Sequence, residues 1–162
     1  MRVRSLLIEI DHRDPHIAAR IYELQQAAYA VERDVIGVAE FFPLTVTAEQ
    51  IAREPDTFLG WWDGDRLVGV ASFTATAEEI DVGRMVVHPA HFRRGIASAL
   101  LRAVAERAAP GQRITVSTAE KNEPAVRLYQ RHGFGIIRRT VLPDGLALVR
   151  LTKTIAPPPP IS

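Results

Sequence analysis

Two short stretches and one acidic cluster carry the residue types that could do chemistry. The first stretch runs from Val86 to Leu101, VVHPAHFRRGIASALL. An apolar, strand-like run is broken by His88-Pro89, a short basic turn containing Gly95 follows, and a helix begins at once. The first N–H groups of a helix have no partner inside it, and the helix dipole adds positive potential at the same end. The dipole alone is worth about 0.3–1 kcal/mol. Several charge-assisted hydrogen bonds, at about 1.5–3 kcal/mol each, would carry most of the affinity for a phosphate group. Gly95 removes a side chain where a ligand must come close, and Arg93 and Arg94 add charge beside it. The plainer alternative is an ordinary strand–turn–helix connection with a solvated arginine pair.

The second stretch runs from Ser117 to Phe134, STAEKNEPAVRLYQRHGF. Asn122 is a good N-cap, Pro124 falls in the first helical turn, and Gly133 suits the position just past the end. The spacing predicts a helix of about three turns with Ala125, Leu128, Tyr129 and His132 on one face. Tyr129 is then either a core aromatic or a hydroxyl aimed into a cleft. The acidic cluster is Glu78, Glu79 and Asp81, at the start of a strand. Glu79 and Asp81 share one strand face. They are either a solvated strand end or candidate general bases.

Together the two stretches resemble the GNAT superfamily of acetyl-CoA-dependent N-acetyltransferases. The first is similar to that family's pyrophosphate loop, Gln/Arg-x-x-Gly-x-Gly/Ala. Gly95 and Ala97 match its last two fixed positions, and the first falls on Phe92. The second is similar to the family's Asn…Tyr motif, with Asn122 matching the residue near the pantetheine arm and Tyr129 the residue near the thioester sulfur. The resemblance is strongest from about Ile80 to Phe134.

It implies acetyl-CoA as cosubstrate, with no metal. Phe92, Arg93, Arg94, Gly95, Ile96, Ala97 and Ser98 would form the pyrophosphate loop, and Met85, Val86 and Val87 would offer backbone groups to the pantetheine like an added strand. It also implies a primary amine acceptor, on a small molecule or on a peptide or protein. Lysine-like amines have a pKa near 10.4, so a base or water chain must take a proton. Glu79 and Asp81 are the implied catalytic bases. Tyr129, protonated at neutral pH, is the implied proton donor to the leaving thiolate.

The elements that must position these groups alternate along the chain. Ser5–Ile10, Phe58–Trp62, Leu67–Phe73, Ile80–Val87 and Ile114–Ser117 read as strands, and two more flank the turn Pro143-Asp144-Gly145. Asp14-Pro15 opens a helix whose face is Ile17, Ile21, Leu24 and Ala28. Val31–Leu44 has no clean period and reads as a loop, with Phe41-Phe42 and Trp61-Trp62 as candidate walls of an acceptor pocket. Thr47 to Gln50 is a capping box. Asp63-Gly64-Asp65 is a hairpin turn. Gly83 predicts a bulge or a close approach. Ile96–Ala108 is a helix ended by Pro110-Gly111.

The order is βααββ followed by βαβαββ. It predicts an α/β fold of the GNAT-like acyltransferase type: a central mixed sheet with helices on both faces. Ile80–Val87 and Ile114–Ser117, joined through a helix, should be parallel. In the family these two strands splay apart. One domain is expected over residues 1–155, with a disordered proline-rich tail at 156–162.

Composition narrows the classes. The chain has 162 residues, 47% hydrophobic, with 20 Lys+Arg against 19 Asp+Glu for a net charge of +1. That balance gives no electrostatic footprint for nucleic acid. No run of 18 apolar residues suggests a membrane span, and the start is broken too early by Glu9 and Asp11 for a signal peptide. A cytoplasmic location is expected, and a homodimer stays open. There is no cysteine, which excludes disulfides, zinc–thiolate sites and an acyl-cysteine intermediate. His12, His16, His88, His91 and His132 form no ligand pattern and are expected at surface or capping positions. Two other functions remain: a catalytically silent acyl-CoA-binding sensor, and a nucleotide-binding module using the Gly95 loop alone.

Overall fold

Every strand-forming run finds a place in one sheet. The computed structural model describes residues 5–156, 160 and 161. In chain order the elements are β1 (Ser5–Ile10), α1 (Pro15–Ile36), α2 (Ala48–Arg53), β2 (Thr57–Asp63), β3 (Arg66–Ala75), β4 (Glu79–Val87), α3 (Ile96–Glu106), β5 (Arg113–Ala119), α4 (Glu123–Arg131), β6 (Gly135–Val141) and β7 (Ala147–Thr154). The seven strands lie in the order β1-β2-β3-β4-β5-β7-β6. All neighbours are antiparallel except β4 and β5, which are parallel. The expected tail at 156–162 falls largely outside the described residues.

Local signals explain several boundaries. Asp14 caps α1 by accepting the His16 N–H at 2.9 Å, with Pro15 next in the chain. The Thr47 hydroxyl and the Gln50 side chain exchange backbone hydrogen bonds, so the capping box starts α2 as the sequence suggests. Gly64, at φ 63°, turns β2 into β3.

Helix α1 differs from expectation. It continues to Ile36 and closes on Gly37 in a left-handed conformation, whereas the sequence pattern from Val31 onward reads as a loop. The reason is that the last two turns serve two neighbours. Ile36 is buried, while Val31, Glu32 and Val35 line a cleft. A helix with two working faces shows no single apolar stripe.

The core has a layer on each face of the sheet. Phe58, Val70 and Val86 pack with α1 and α2, whereas Leu59, Ala71 and Val87 pack with α3 and α4. β3 is buried on both faces from Leu67 to Phe73, which is why it reads as a nearly continuous apolar run. Ile96, Leu100, Leu101 and Val104 bury the inner face of α3, at about 1.5–3 kcal/mol per large apolar side chain. That packing fixes where the helix begins. Gly69 allows it: a Cβ there would lie 2.8 Å from Ile96 Cγ2.

Two departures from regular pairing open the site. β4 and β5 pair only from Glu79–Arg113 to Val82–Val116 and then separate. At the same point the β3–β4 register slips, pairing Ser72 with Arg84 and Phe73 with Val82, so Gly83 is an unpaired bulge residue. It is also a close approach, since a Cβ at Gly83 would sit 3.0 Å from Asp56 Oδ2. Beyond the slip, Met85 to Val87 have no β5 partner.

Candidate active site

The basic loop has a defined shape. The ring Nδ1 of His88 accepts the Ala90 N–H at 3.1 Å, and residues 89–91 make one tight helical turn. Arg93 and Gly95 then both take positive φ, 64° and 77°. Holding a non-glycine residue there costs about 1–3 kcal/mol, a strain of the kind found at ligand clamps. Gly95 meets no atom within 4 Å of where a Cβ would be. The space beside it is open, and its backbone angle rather than crowding demands glycine.

α3 starts at Ile96 with no side-chain cap, and its first helical bond is Ala99 N–H to Gly95 O at 3.0 Å. The N–H groups of Ile96, Ala97 and Ser98 are therefore left over by the helix.

These groups edge a cleft of about 490 Å³. Phe92, Arg93, Gly95, Ile96, Ala97 and Ser98 line it, together with Met85, Val86 and Val87 from β4 and with Asn122 and Tyr129. Thus eleven of the twelve residues expected around the loop, strand and Asn…Tyr motif share one cleft, and Arg94 stays exposed beside it. The Ser98 hydroxyl lies 3.1 Å from His132 Nε2. Burial, with Arg102, Lys153 and Arg131 nearby, holds the His132 pKa below its ordinary value.

A smaller cavity of about 230 Å³ opens where β4 and β5 part. It shares Glu32, Met85, Asn122, Ala125 and Tyr129 with the cleft. Its far wall is apolar, from Phe41, Pro43, Leu146 and Leu148, and Ser117 and Thr118 add hydroxyls. Its charged lining residues are Glu32 and Arg84. Arg84 is already bound: it pairs with Glu54 and donates to Gln25 Oε1 at 3.1 Å. Its guanidinium also lies over the Phe58 ring.

Three side chains meet at the junction. Asn122 stands at the N-cap position of α4, but its side chain does not cap the helix as its sequence position suggests. Its amide donates to Glu32 Oε1 at 3.2 Å and to Thr118 Oγ1 at 3.5 Å. Burial raises the Glu32 carboxyl above the ordinary 4.5, and the Asn122 hydrogen bond opposes this only in part. Tyr129 is 4% exposed and tilts against Phe134. It packs as a core aromatic and also lines both cavities. Burial, then the charges of Glu32 and Tyr29, push its hydroxyl well above the usual tyrosine value. Tyr29 is pushed up to about 12, mainly by burial.

The acidic cluster is not part of this junction. Glu78, Glu79 and Asp81 line neither cavity. Arg150 lies 3.5 Å from Glu79 and 4.0 Å from Asp81, Arg113 lies 3.7 Å from Glu79, and Thr115 donates to Asp81 at 3.0 Å. These carboxylates sit along the stretch where β4 is still paired with β5. Trp61 and Trp62 also lie away from the cavities: Trp61 packs on the core, and the guanidinium of Arg20 lies over Trp62. Phe41 lines the smaller cavity while Phe42 is 80% exposed. His12 is buried rather than superficial, bonded to the Glu54 carbonyl at 2.7 Å and stacked on Phe58.

The residue at the junction that the sequence analysis does not single out is Glu32. Its signal in the sequence is the spacing of Ala28, Glu32 and Val35 by four and three, which continues the face of α1 beyond Ala28.

The chain is similar to known proteins in three respects. The family described as "Acetyltransferase (GNAT) family" matches residues 18–134. UPF0157 protein YqkA of Bacillus subtilis (strain 168) is 34% identical over 139 residues. The match takes in 86% of this chain, which spans only 40% of that relative's length. Among solved structures, the ribosomal-protein-S18-alanine N-acetyltransferase of Escherichia coli superposes with a TM-score of 0.73 at 16% identity, over 94% of this chain and 95% of that one. The PaiA N-acetyltransferase of Thermoplasma acidophilum, in complex with coenzyme A, gives 0.69 at 12% identity, over 91% and 98%. At these identities the structures speak for the fold. With the family match over most of the chain and a seven-stranded mixed sheet that parts between β4 and β5, the chain belongs to the GNAT acetyltransferase family.

Proposed function

We propose that the chain transfers the acetyl group of acetyl-CoA directly to a primary amine, on a small molecule or on a peptide or protein. The observation that carries this reading is the meeting of two cavities at Tyr129, Met85, Asn122 and Glu32. One cavity starts at a helix N-terminus with spare N–H groups, and the other is a separate polar–apolar pocket.

In this reading the pyrophosphate of acetyl-CoA lies against the backbone of Gly95 to Ser98. The pantetheine arm follows Met85 to Val87, whose backbone groups have no β5 partner. The thioester then reaches the junction, and the amine enters from the smaller cavity. The amine nitrogen attacks the thioester carbonyl carbon, the C–S bond breaks, and the thiolate takes a proton. Tyr129 donates a hydrogen bond to the departing sulfur in this reading, its raised pKa keeping the hydroxyl protonated throughout the neutral range, and the proton that the thiolate takes is the one the nitrogen loses as the amide forms. Holding both reactants in line accounts for a large part of the rate. With no cysteine in the chain and no activated nucleophile in a recognised motif, transfer needs both substrates bound at once.

The test is an unbiased screen of amines and amine-bearing peptides with acetyl-CoA, read as release of free thiol. Amine-dependent release with a matching mass gain of one acetyl group on the amine is the expected result. Tight acetyl-CoA binding with no release across the screen would instead identify a silent acyl-CoA sensor. Equal affinity for adenosine diphosphate and acetyl-CoA would identify a nucleotide module.

A further inference from the structure

The smaller cavity holds a carboxylate that no basic side chain neutralises. Its lining carries two charged side chains, Glu32 and Arg84, and Arg84 is taken up by Glu54 and Gln25. Among the described residues Glu32 makes no ion pair, and its hydrogen bond comes from the neutral amide of Asn122. A half-buried carboxylate without a cation is costly to keep, and it lies on the boundary shared by both cavities. The rest of the pocket wall is largely apolar, from Phe41, Pro43, Leu146 and Leu148.

We propose that Glu32 receives the ammonium group of the acceptor and takes its proton, so that the substrate is a cationic primary amine carrying a small apolar body. This rests on the acetyl-transfer reading above. The steps balance as follows in charge and protons. The ammonium gives one proton to the Glu32 carboxylate and becomes a neutral amine. The amine nitrogen forms a bond to the thioester carbonyl carbon, and the carbon–sulfur bond breaks. The nitrogen loses its second proton as the amide forms, and the departing thiolate gains one. Glu32 then returns its proton to solvent through the open cavity.

The environment suits the task. A base works best when its pKa lies near the working pH, and burial moves Glu32 in that direction. The groups that face it are Tyr29 on α1, Asn122 at the N-cap of α4 and Tyr129 on α4, and Arg84 on β4 lines the same cavity. His91, Arg93 and Arg131 line the adjoining cleft. None of Glu79, Asp81 or Glu78 lines either cavity.

The experiment uses the full chain, acetyl-CoA and a series of linear primary alkylamines as acceptors, with Glu32→Gln as the variant. Glutamine keeps an oxygen for the Asn122 amide, so the fold and the acetyl-CoA site should persist, which calorimetry with acetyl-CoA checks. The expected result is a drop of about 10²-fold or more in kcat/KM for the amine, with acetyl-CoA affinity unchanged. The variant should also regain rate as pH rises toward the amine pKa, because a neutral amine needs no base. Wild-type kcat/KM and pH profile in Glu32→Gln would overturn the role of Glu32 while leaving acetyl transfer intact. Loss of acetyl-CoA binding in the variant would overturn it in favour of a structural role. A wild-type protein that binds acetyl-CoA but acetylates no amine would overturn the acetyl-transfer reading, and this proposal with it.

Discussion

At the scale of single residues, backbone angle and burial decide what each side chain can do. Gly95 is the clearest case. At φ 77° any side chain is strained, and the space that a Cβ would enter is open to ligand. Gly95→Glu adds strain, bulk and a negative charge beside the proposed pyrophosphate site, so acetyl-CoA affinity should fall by at least 100-fold in calorimetry, about 2.8 kcal/mol. Arg94→Ala removes one exposed charge outside the cleft lining and should cost less than about tenfold. Normal binding by Gly95→Glu would move the site elsewhere.

Tyr129 calls for a more modest expectation than its motif suggests. Its raised pKa makes it a weak acid beside a thiol whose pKa resembles the cysteine value of about 8.5. Full proton transfer to the thiolate is therefore uphill, and its help is mostly a hydrogen bond. Tyr129→Phe keeps the buried ring and should lower kcat by about 10- to 100-fold, at or below the bottom of the usual range for general acids. Acetyl-CoA affinity should hold. Full turnover across pH 6–9, with chemistry rate-limiting, would leave Tyr129 a core residue only.

Glu32 carries a stability signature as well. Its folded pKa is raised above the ordinary 4.5. The folded state therefore holds more protons than the unfolded state between 4.5 and that raised value, and stability falls as pH rises through the window. Above that raised value the cost is complete. Glu32→Gln should unfold at a higher temperature than wild type at pH 7, with the advantage shrinking toward pH 4. Thermal scans at several pH values read this directly, and a variant with equal or lower midpoints throughout would show that the carboxylate carries no such cost.

At the scale of elements, what the sequence reveals is what is local. The cap at Asp14, the box at Thr47, the Gly64 hairpin and the order of strands and helices all depend on residues within a few positions of one another, and all are present. The bulge at Gly83 was legible for the same reason. Readings that depend on distant neighbours fared differently. The last turns of α1 looked like a loop because Glu32 and Val35 face a cleft made by β4 and α4. Asn122 looked like a cap because nothing nearby in sequence announces Glu32, ninety positions away. The partners of the candidate bases Glu79 and Asp81 were not legible, because Arg150 and Thr115 arrive from strands later in the chain.

The placement of α3 gives the prediction at this scale. Gly69→Ala puts a methyl group about 2.8 Å from Ile96 Cγ2, a β-branched atom with little room to yield. Overpacking of this kind costs about 1–3 kcal/mol. Because Ile96 opens α3, the shift should also weaken acetyl-CoA binding, although Gly69 lines neither cavity. A lowered midpoint with unchanged affinity would mean that the helix start does not hold the ligand.

At the scale of the whole molecule, the sheet is two blocks joined by a short seam. β1 to β4 form one run, β5 to β7 the other, and four residue pairs from Glu79–Arg113 to Val82–Val116 connect them. Beyond the seam, β4 offers Met85 to Val87 and β5 offers Ser117 to Ala119 without pairing each other. A ligand whose arm lies in that opening supplies the missing contacts between blocks, whereas one confined to the Gly95 loop touches one block only. Acetyl-CoA at about 100 times its dissociation constant should stabilise the fold by about 2.7 kcal/mol, a rise of about 5–10 °C in midpoint for a chain of this size. Adenosine diphosphate at the same concentration should do less. Hydrogen exchange should separate the two ligands by place as well as by amount. Both should protect amides from Gly95 to Ser98, and only acetyl-CoA should protect Met85 to Val87 and the first turn of α4. Equal protection of the β4 segment by adenosine diphosphate would mean that the opening closes without the pantetheine arm, and that the splayed strands serve something other than a thioester.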